Sequence, residues 1–265
     1  MYKLIAVDLD GTLLDSQRNI SEKNKRAIRD VLAAGKLFTV STGRPLQGVT
    51  ELIELLDADL PIILYNGAMA ATTRSGRILY ESPLPGPLAE EAVRMGQERD
   101  VTVLVWANGE LHVSGIDGHV REYAAALKSV LHPKVVEDLG KIAAGGVTKV
   151  LWRGDPKKIA EYEKEAAAHF KGRLNCHTSV PMLLEFVDIK ASKAAAMQRI
   201  GEHYHIARSE MIAVGDGFND LSMIRWAGLG VAMGNAVQEI KDQADEVTLT
   251  NDEDGVAAVI YRHML

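Results

Sequence analysis

Six short runs rich in Val, Ile and Leu punctuate this chain: KLIAVDL (3–9), KLFTVST (36–42), PIILYNG (61–67), MIAVGDG (211–217), LGVAM (229–233) and EVTLT (246–250). Glycine or a polar residue follows them, and segments of helical spacing lie between. A strand covered on both faces is apolar throughout, so the pattern predicts buried parallel strands joined by helical crossovers. The carboxyl ends are polar instead: Asp8 and Asp10, then Ser41 and Thr42, then Asn66, Asp216 and Asn235. Ligands of an open α/β sheet bind beyond the carboxyl ends of its strands. These side chains are therefore expected to converge on one crevice.

Helix signals support the crossovers. In SEKNKRAIRDVLAAG, Ser21 can cap, Ala27, Ile28, Val31 and Leu32 share a face, and Gly35 terminates. Pro45 suits the first position of a helix over LQGVTELIELL. Between about 84 and 188 the rhythm changes. PLPGPL opens a stretch in which VTVLVW and ELHVS flank Ala107, Asn108 and Gly109, a hairpin signal. VTKVLW, the helix candidate DPKKIAEYEKEAAAHF, RLNCHTS and PMLLEFV then read as an α+β unit. The parallel rhythm resumes afterwards, which predicts a doubly wound α/β core, residues 1–83 and 189–265, interrupted by an inserted α+β domain, residues 84–188. Internal repeats and low-complexity segments are absent.

Composition narrows the function classes. With 265 residues, 47% of them hydrophobic and 25% charged, the chain is neither disordered nor fibrous. A net charge of -6 without any Lys/Arg-dense stretch argues against nucleic acid or an anionic membrane as partner. The N-terminus MYKLIAVDLD lacks the features of a secretory signal, and no apolar run reaches membrane-spanning length, so the expected location is cytoplasmic. The sequon Asn19-Ile20-Ser21 carries meaning only in a secreted chain. Cys176 is the single cysteine, which excludes an intrachain disulfide and a cysteine metal cluster. The eight histidines show no metal-ligand spacing, and the glycines of AGLGVAMG precede or open a strand, unlike a dinucleotide fingerprint.

An aspartate at a strand end can act as a nucleophile toward phosphorus, forming an aspartyl-phosphate that divides one hard displacement into two easier ones. Phosphate monoesters are among the slowest substrates to hydrolyse unaided, so charge on the transferring group must be neutralised. A hard cation such as Mg²⁺ with oxygen ligands does this. A second aspartate two residues on can protonate the leaving oxygen and later deprotonate water. GDGFND adds Asp216 and Asp220, and clustered carboxylates repel unless a cation joins them. Thr42 can donate its hydroxyl to phosphate, and a lysine such as Lys193 can balance charge. Each element alone has an ordinary reading: a lone DxD is usually a solvated turn, Lys193 a surface helix residue, Arg44 a polar helix start and Asn66 a turn residue before Gly67.

Taken together, Asp8-Leu9-Asp10-Gly11-Thr12, Ser41-Thr42-Gly43-Arg44, Lys193 and Gly215-Asp216-Gly217-Phe218-Asn219-Asp220 resemble, in order, the four motifs of the haloacid dehalogenase (HAD) superfamily. The STGRP form, YNGA at 65–68 and the large insertion resemble its Cof-type (type IIB) phosphatases. The resemblance implies a Rossmann-like core with a cap over the crevice, and Mg²⁺-dependent hydrolysis of a small phosphorylated metabolite through an aspartyl-phosphate. It assigns Asp8 as nucleophile and metal ligand, Asp10 as acid/base with its backbone carbonyl on the metal, Thr42 to the phosphate, Lys193 to charge balance and Asp216 to the metal. Asp220 and Asn219 complete or orient the metal shell, Asp220 as a ligand, and Asn219 joins Gly43, Arg44 and Asn66 among the groups expected to meet substrate. Lys193 precedes Ala194 where the family usually has glycine, and Lys190 lies close enough to compete for the role. A phosphotransferase or phosphomutase would share the aspartyl-phosphate, and a signalling receiver would share the acids, Thr and Lys without needing an acid/base Asp10 or an insertion. The expected state is a monomer, with a dimer as the alternative.

Overall fold

The structure, a computed structural model, describes residues 1–56, 58–127 and 131–265. It begins β1 (Leu4–Asp8), α1 (Glu22–Ala33), β2 (Leu37–Ser41), α2 (Thr50–Leu56), β3 (Pro61–Leu64), β4 (Met69–Thr72) and β5 (Ile78–Glu81). There follow α3 (Gly86–Gln97), β6 (Thr102–Ala107), β7 (Glu110–Val113), α4 (Gly118–Ala126), β8 (Lys134–Val135) and α5 (Leu139–Ala144). β9 (Lys149–Arg153), α6 (Pro156–His169), β10 (Leu174–Val180) and β11 (Leu183–Asp188) lead to α7 (Lys193–Tyr204), β12 (Met211–Gly215) and α8 (Leu221–Trp226). The chain closes with β13 (Leu229–Ala232), α9 (Gln238–Lys241), β14 (Glu246–Val247) and α10 (Gly255–His263).

Two compact units result: residues 1–42, 53–80 and 192–265 form one, residues 43–52 and 81–191 the other. In the first, among the described residues, the sheet order is β14-β13-β12-β1-β2-β3-β4-β5. Parallel pairing runs from β14 to β3, through all six runs read from the sequence, and β4 returns antiparallel to β3. This is the expected α/β class. Leu4 and Ala6 pack with Ala196, Met197 and Ile200 of α7 and Met223 of α8, while the alternate residues Ile5 and Val7 are equally buried. Burial on both faces is the reason these strands read as unbroken apolar runs.

Local chemistry explains the crossovers. Ser21 accepts a hydrogen bond from the Asn24 N–H and so caps α1. Asn24, buried, accepts through Oδ1 from the Ala257 N–H and ties α1 to α10. Burying Ile28 and Val31 on the inner face of α1 contributes about 2 kcal/mol each. After Pro45 the chain first makes a 3₁₀ turn over Leu46–Val49, and the α-helix starts only at Thr50. Gly48, the poorest helix former in LQGV, donates to the Pro45 carbonyl in that tighter turn.

Tyr65, Asn66 and Gly67 all have positive φ (53°, 55° and 93°) at the end of β3. Consecutive left-handed residues reverse the chain in the smallest space, and only glycine fits the third. A Cβ on Gly67 would lie 2.1 Å from the Ser192 carbonyl oxygen and 2.6 Å from the Lys193 nitrogen. Gly67→Ala is expected to lower stability by about 3 kcal/mol, from strain and from displacing the start of α7. Chemical denaturation reads this as a lower midpoint at unchanged slope.

The second unit has its own sheet, order β10-β11-β9-β6-β7-β8 among the described residues. Its pairs are antiparallel except β7 with β8. The β6–β7 hairpin turns through Asn108 and Gly109, φ 52° and 74°, as the sequence predicts. Val105, Val150, Trp152, Leu184 and Phe186 pack on one face with Ala89, Ala92 and Val93 of α3, Leu139 and Ala143 of α5 and Ile159 of α6. Half-buried Cys176 packs against this core, and burial pushes its thiol up to about 11. No described helix is long and apolar enough to cross a membrane.

Candidate active site

The order β3-β2-β1-β12 sets four strand ends side by side in the first unit. Asp8 ends β1 in register with Ser41, and Gly215 ends β12 just before Asp216. Lys193 is the first residue of α7, after the cap Ser192. A cation is disfavoured at the positive end of a helix. Two carboxylates offset this: the fully buried Lys193 ammonium donates to Asp8 Oδ1 and Asp220 Oδ1, 2.5 Å each, and to the Ser41 carbonyl at 2.9 Å. Lys190, its competitor in the sequence, is exposed.

Asp220 accepts with Oδ2 from the backbone N–H groups of Asp216 and Gly217, at 3.1 and 2.9 Å, so the GDGFND turn is folded around its own last carboxylate. Thr12 donates its hydroxyl to Asp216 Oδ1 at 2.7 Å. Gly11 permits the approach: with φ 84°, a Cβ there would sit 2.5 Å from Asp216 Oδ2. Thr42, buried, has its N–H on the Ile63 carbonyl (2.9 Å), and its own carbonyl accepts from the Asn66 N–H (3.0 Å). Asn219 Nδ2 donates to Asn66 Oδ1 at 3.2 Å, so two of the residues expected to meet substrate touch each other.

Asp10 is exposed, and Arg18, itself in left-handed backbone, donates to its Oδ1 at 3.4 Å. Gly43 and Arg44 belong to the second unit, where Arg44 Nη1 donates to the Gly48 carbonyl at 3.0 Å. Thr12 and the Ser41 carbonyl are partners to which the sequence assigns no role, although Thr12 lies within the Asp8–Thr12 motif. Arg18 carried no signal at all, since only the turn at 15–19 brings it back to Asp10.

Asp8, Asp216 and Asp220 each offer one oxygen within 4.8 Å of the others. The Asp10 carboxylate is not one of the three; its expected contribution is a backbone carbonyl. Burial first, and then the Asp220 charge, hold the Asp8 carboxyl well above the usual carboxylate range, with Lys193 opposing them. Asp216 is also raised, by burial and Asp220 against the Thr12 hydrogen bond. Burial alone would depress Lys193, but Asp220 and Asp8 outweigh it and hold the ammonium above the ordinary lysine range. Three carboxylates with one internal cation form an oxygen-only, charge-deficient site, a donor set that fits a hard divalent cation.

A family model for haloacid dehalogenase-like hydrolases matches residues 5–260. The chain belongs to that family, in its Cof-type branch. It is 30% identical to the 5-amino-6-(5-phospho-D-ribitylamino)uracil phosphatase YitU of Bacillus subtilis, over 98% of this chain and 97% of the relative. A solved haloacid dehalogenase-like hydrolase from Bacteroides thetaiotaomicron is 34% identical, covers 99% of both chains and superposes with a TM-score of 0.87. A solved HAD subclass IIB sugar phosphatase is 25% identical over the full length of both, with a TM-score of 0.84.

Proposed function

We propose that this hydrolase of phosphate esters is a Mg²⁺-dependent phosphatase of small phosphorylated metabolites, working through an aspartyl-phosphate on Asp8. The observation that carries this reading is the buried bridge of Lys193 between Asp8 and Asp220, with Asp216 alongside. Lys193 occupies one oxygen of Asp8 and so orients the carboxylate for attack by the other. That oxygen forms a bond to phosphorus as the ester bond breaks, and Asp10 delivers its proton to the departing alkoxide. Asp10, ionised by that transfer, then takes a proton from water, whose oxygen attacks the phosphorus of the aspartyl-phosphate. Phosphate leaves and the Asp8 carboxylate is restored.

Thr42 donates to the phosphoryl oxygens, and the Asn66–Asn219 pair, with Gly43 and Arg44, meets the substrate. Asp8, Asp216, Asp220 and the Asp10 carbonyl would hold the cation, which when bound offsets carboxylate and phosphoryl charge together. Residues 84–188 are assigned as the inserted cap. The YitU substrate carries its phosphate on a ribityl chain and the other relative acts on a sugar phosphate. Polyol and sugar phosphates are therefore the first substrate class to test.

The test is phosphate release from sugar phosphates, a ribityl phosphate and nitrophenyl phosphate, with Mg²⁺ and with EDTA. The expected result is turnover with Mg²⁺ that EDTA removes, together with a rise in melting temperature on adding Mg²⁺ to the metal-free protein. A folded protein that releases phosphate from none of these esters overturns the reading.

A further inference from the structure

The second unit holds an ion pair that the proposed chemistry does not use. Lys149 on β9 and Glu185 on β11 are both buried, and the Lys149 ammonium donates to Glu185 Oε2 at 2.9 Å. Glu185 stands in register with Leu151, so Lys149, two residues earlier on the same face, reaches it diagonally. This is the sheet face opposite the core formed by Val150, Trp152, Leu184 and Phe186. Taking two charges out of water is costly, and apolar residues of similar volume often serve stability as well or better. A buried pair that stability alone does not favour calls for another role.

Further contacts tie the pair to the segment that follows β2. Lys149 also donates to the Gly43 carbonyl at 3.5 Å. Gly43 opens the segment 43–52, which joins this unit although it follows β2 in sequence. Gln47 donates to the Gly109 carbonyl of the hairpin turn at 2.8 Å, and Gly48 lies so near Leu127 that a Cβ would come within 3.2 Å of its Cδ2. The buried Trp106, in register with Lys149, donates to the Tyr123 hydroxyl at 3.0 Å. The segment thus rests on the sheet through a charged contact at its start and a neutral one four residues on.

We infer that Lys149, clamped by Glu185, is a positioning residue: it fixes the Gly43 carbonyl and through it the backbone of Gly43 and Arg44, the two residues of this segment assigned to the substrate. The inference rests on the substrate role proposed above for those two residues. The clamp acts on binding and not on the displacement at phosphorus, so it should appear in KM.

Lys149→Met alone removes the ammonium that faces the buried Glu185 carboxylate and is expected to lower stability. The informative variant is Lys149→Met with Glu185→Met, which removes both charges and keeps volume. For nitrophenyl phosphate its KM should rise about tenfold while kcat stays within about threefold of wild type. In an Arg44→Ala background the same pair should add less than about twofold, because the two changes act through one segment. Hydrogen exchange read by mass spectrometry should accelerate over 43–49 and remain unchanged over β9 and β11. An unchanged KM beside an active wild type, or unchanged exchange over 43–49, overturns the inference. A wild type inactive on every ester refutes the proposed function instead, and the exchange measurement still decides the clamp.

Discussion

Asp8→Asn is expected to abolish phosphate release, by about four orders of magnitude or more, because an amide oxygen neither attacks phosphorus effectively nor leaves as a carboxylate. The same variant is expected to melt at or above the wild-type temperature without metal. Burial and the Asp220 charge already disfavour the ionised Asp8, so a neutral isostere relieves repulsion. Lys193 keeps Asp220 and the Ser41 carbonyl as partners. Phosphate assays and thermal melts on one preparation check both halves. Residual turnover near the wild-type rate would remove Asp8 from its assigned role, and a variant that unfolds early would mean that the Asp8–Lys193 contact outweighs the repulsion.

Lys193→Met should show the opposite combination. It strands Asp8 and Asp220 as buried carboxylates facing each other, and the expected cost is about 3 kcal/mol in the metal-free protein. Mg²⁺ should raise the melting temperature of this variant more than that of wild type, because a cation among the same oxygens replaces part of the lost charge. Activity should fall by about a hundredfold or more even with Mg²⁺, since Asp8 loses the group that orients it. Equal melting of variant and wild type without cation would show that Lys193 is not what balances the acids. The two variants together separate nucleophile from counter-charge, because one loses activity while keeping stability and the other loses both.

Much of the architecture was legible in the chain. A strand buried on both faces must be apolar along its length, so the six runs could be read directly, and the φ demands of Asn108-Gly109 announced the hairpin in advance. Pro45 predicts a helix directly after it, whereas the α-helix starts at Thr50, because Gly48 favours the tighter turn locally. The antiparallel β4 has no clear sequence signal: its run MAAT follows a reversal built from Tyr65 and Asn66 in left-handed backbone, which few sequences advertise.

Within the site, residue types and order along the chain by themselves narrow the chemistry to phosphate esters: paired acids at a strand end, a hydroxyl, a lysine and a second acidic turn admit few reactions. Partners were a different matter. That Lys193 and not Lys190 meets Asp8, that Thr12 holds Asp216, and that Asn66 touches Asn219 depend on contacts across 185, 204 and 153 positions of chain. The same holds for the attachment of residues 43–52 to Lys149, a separation of 106 from Gly43. Periodicity and capping act over a few residues and leave their mark in local sequence. Which buried charge finds which opposite charge is settled only when strands and helices pack, because the cost of an unpaired ion in a dry interior is felt only once the chain has closed around it.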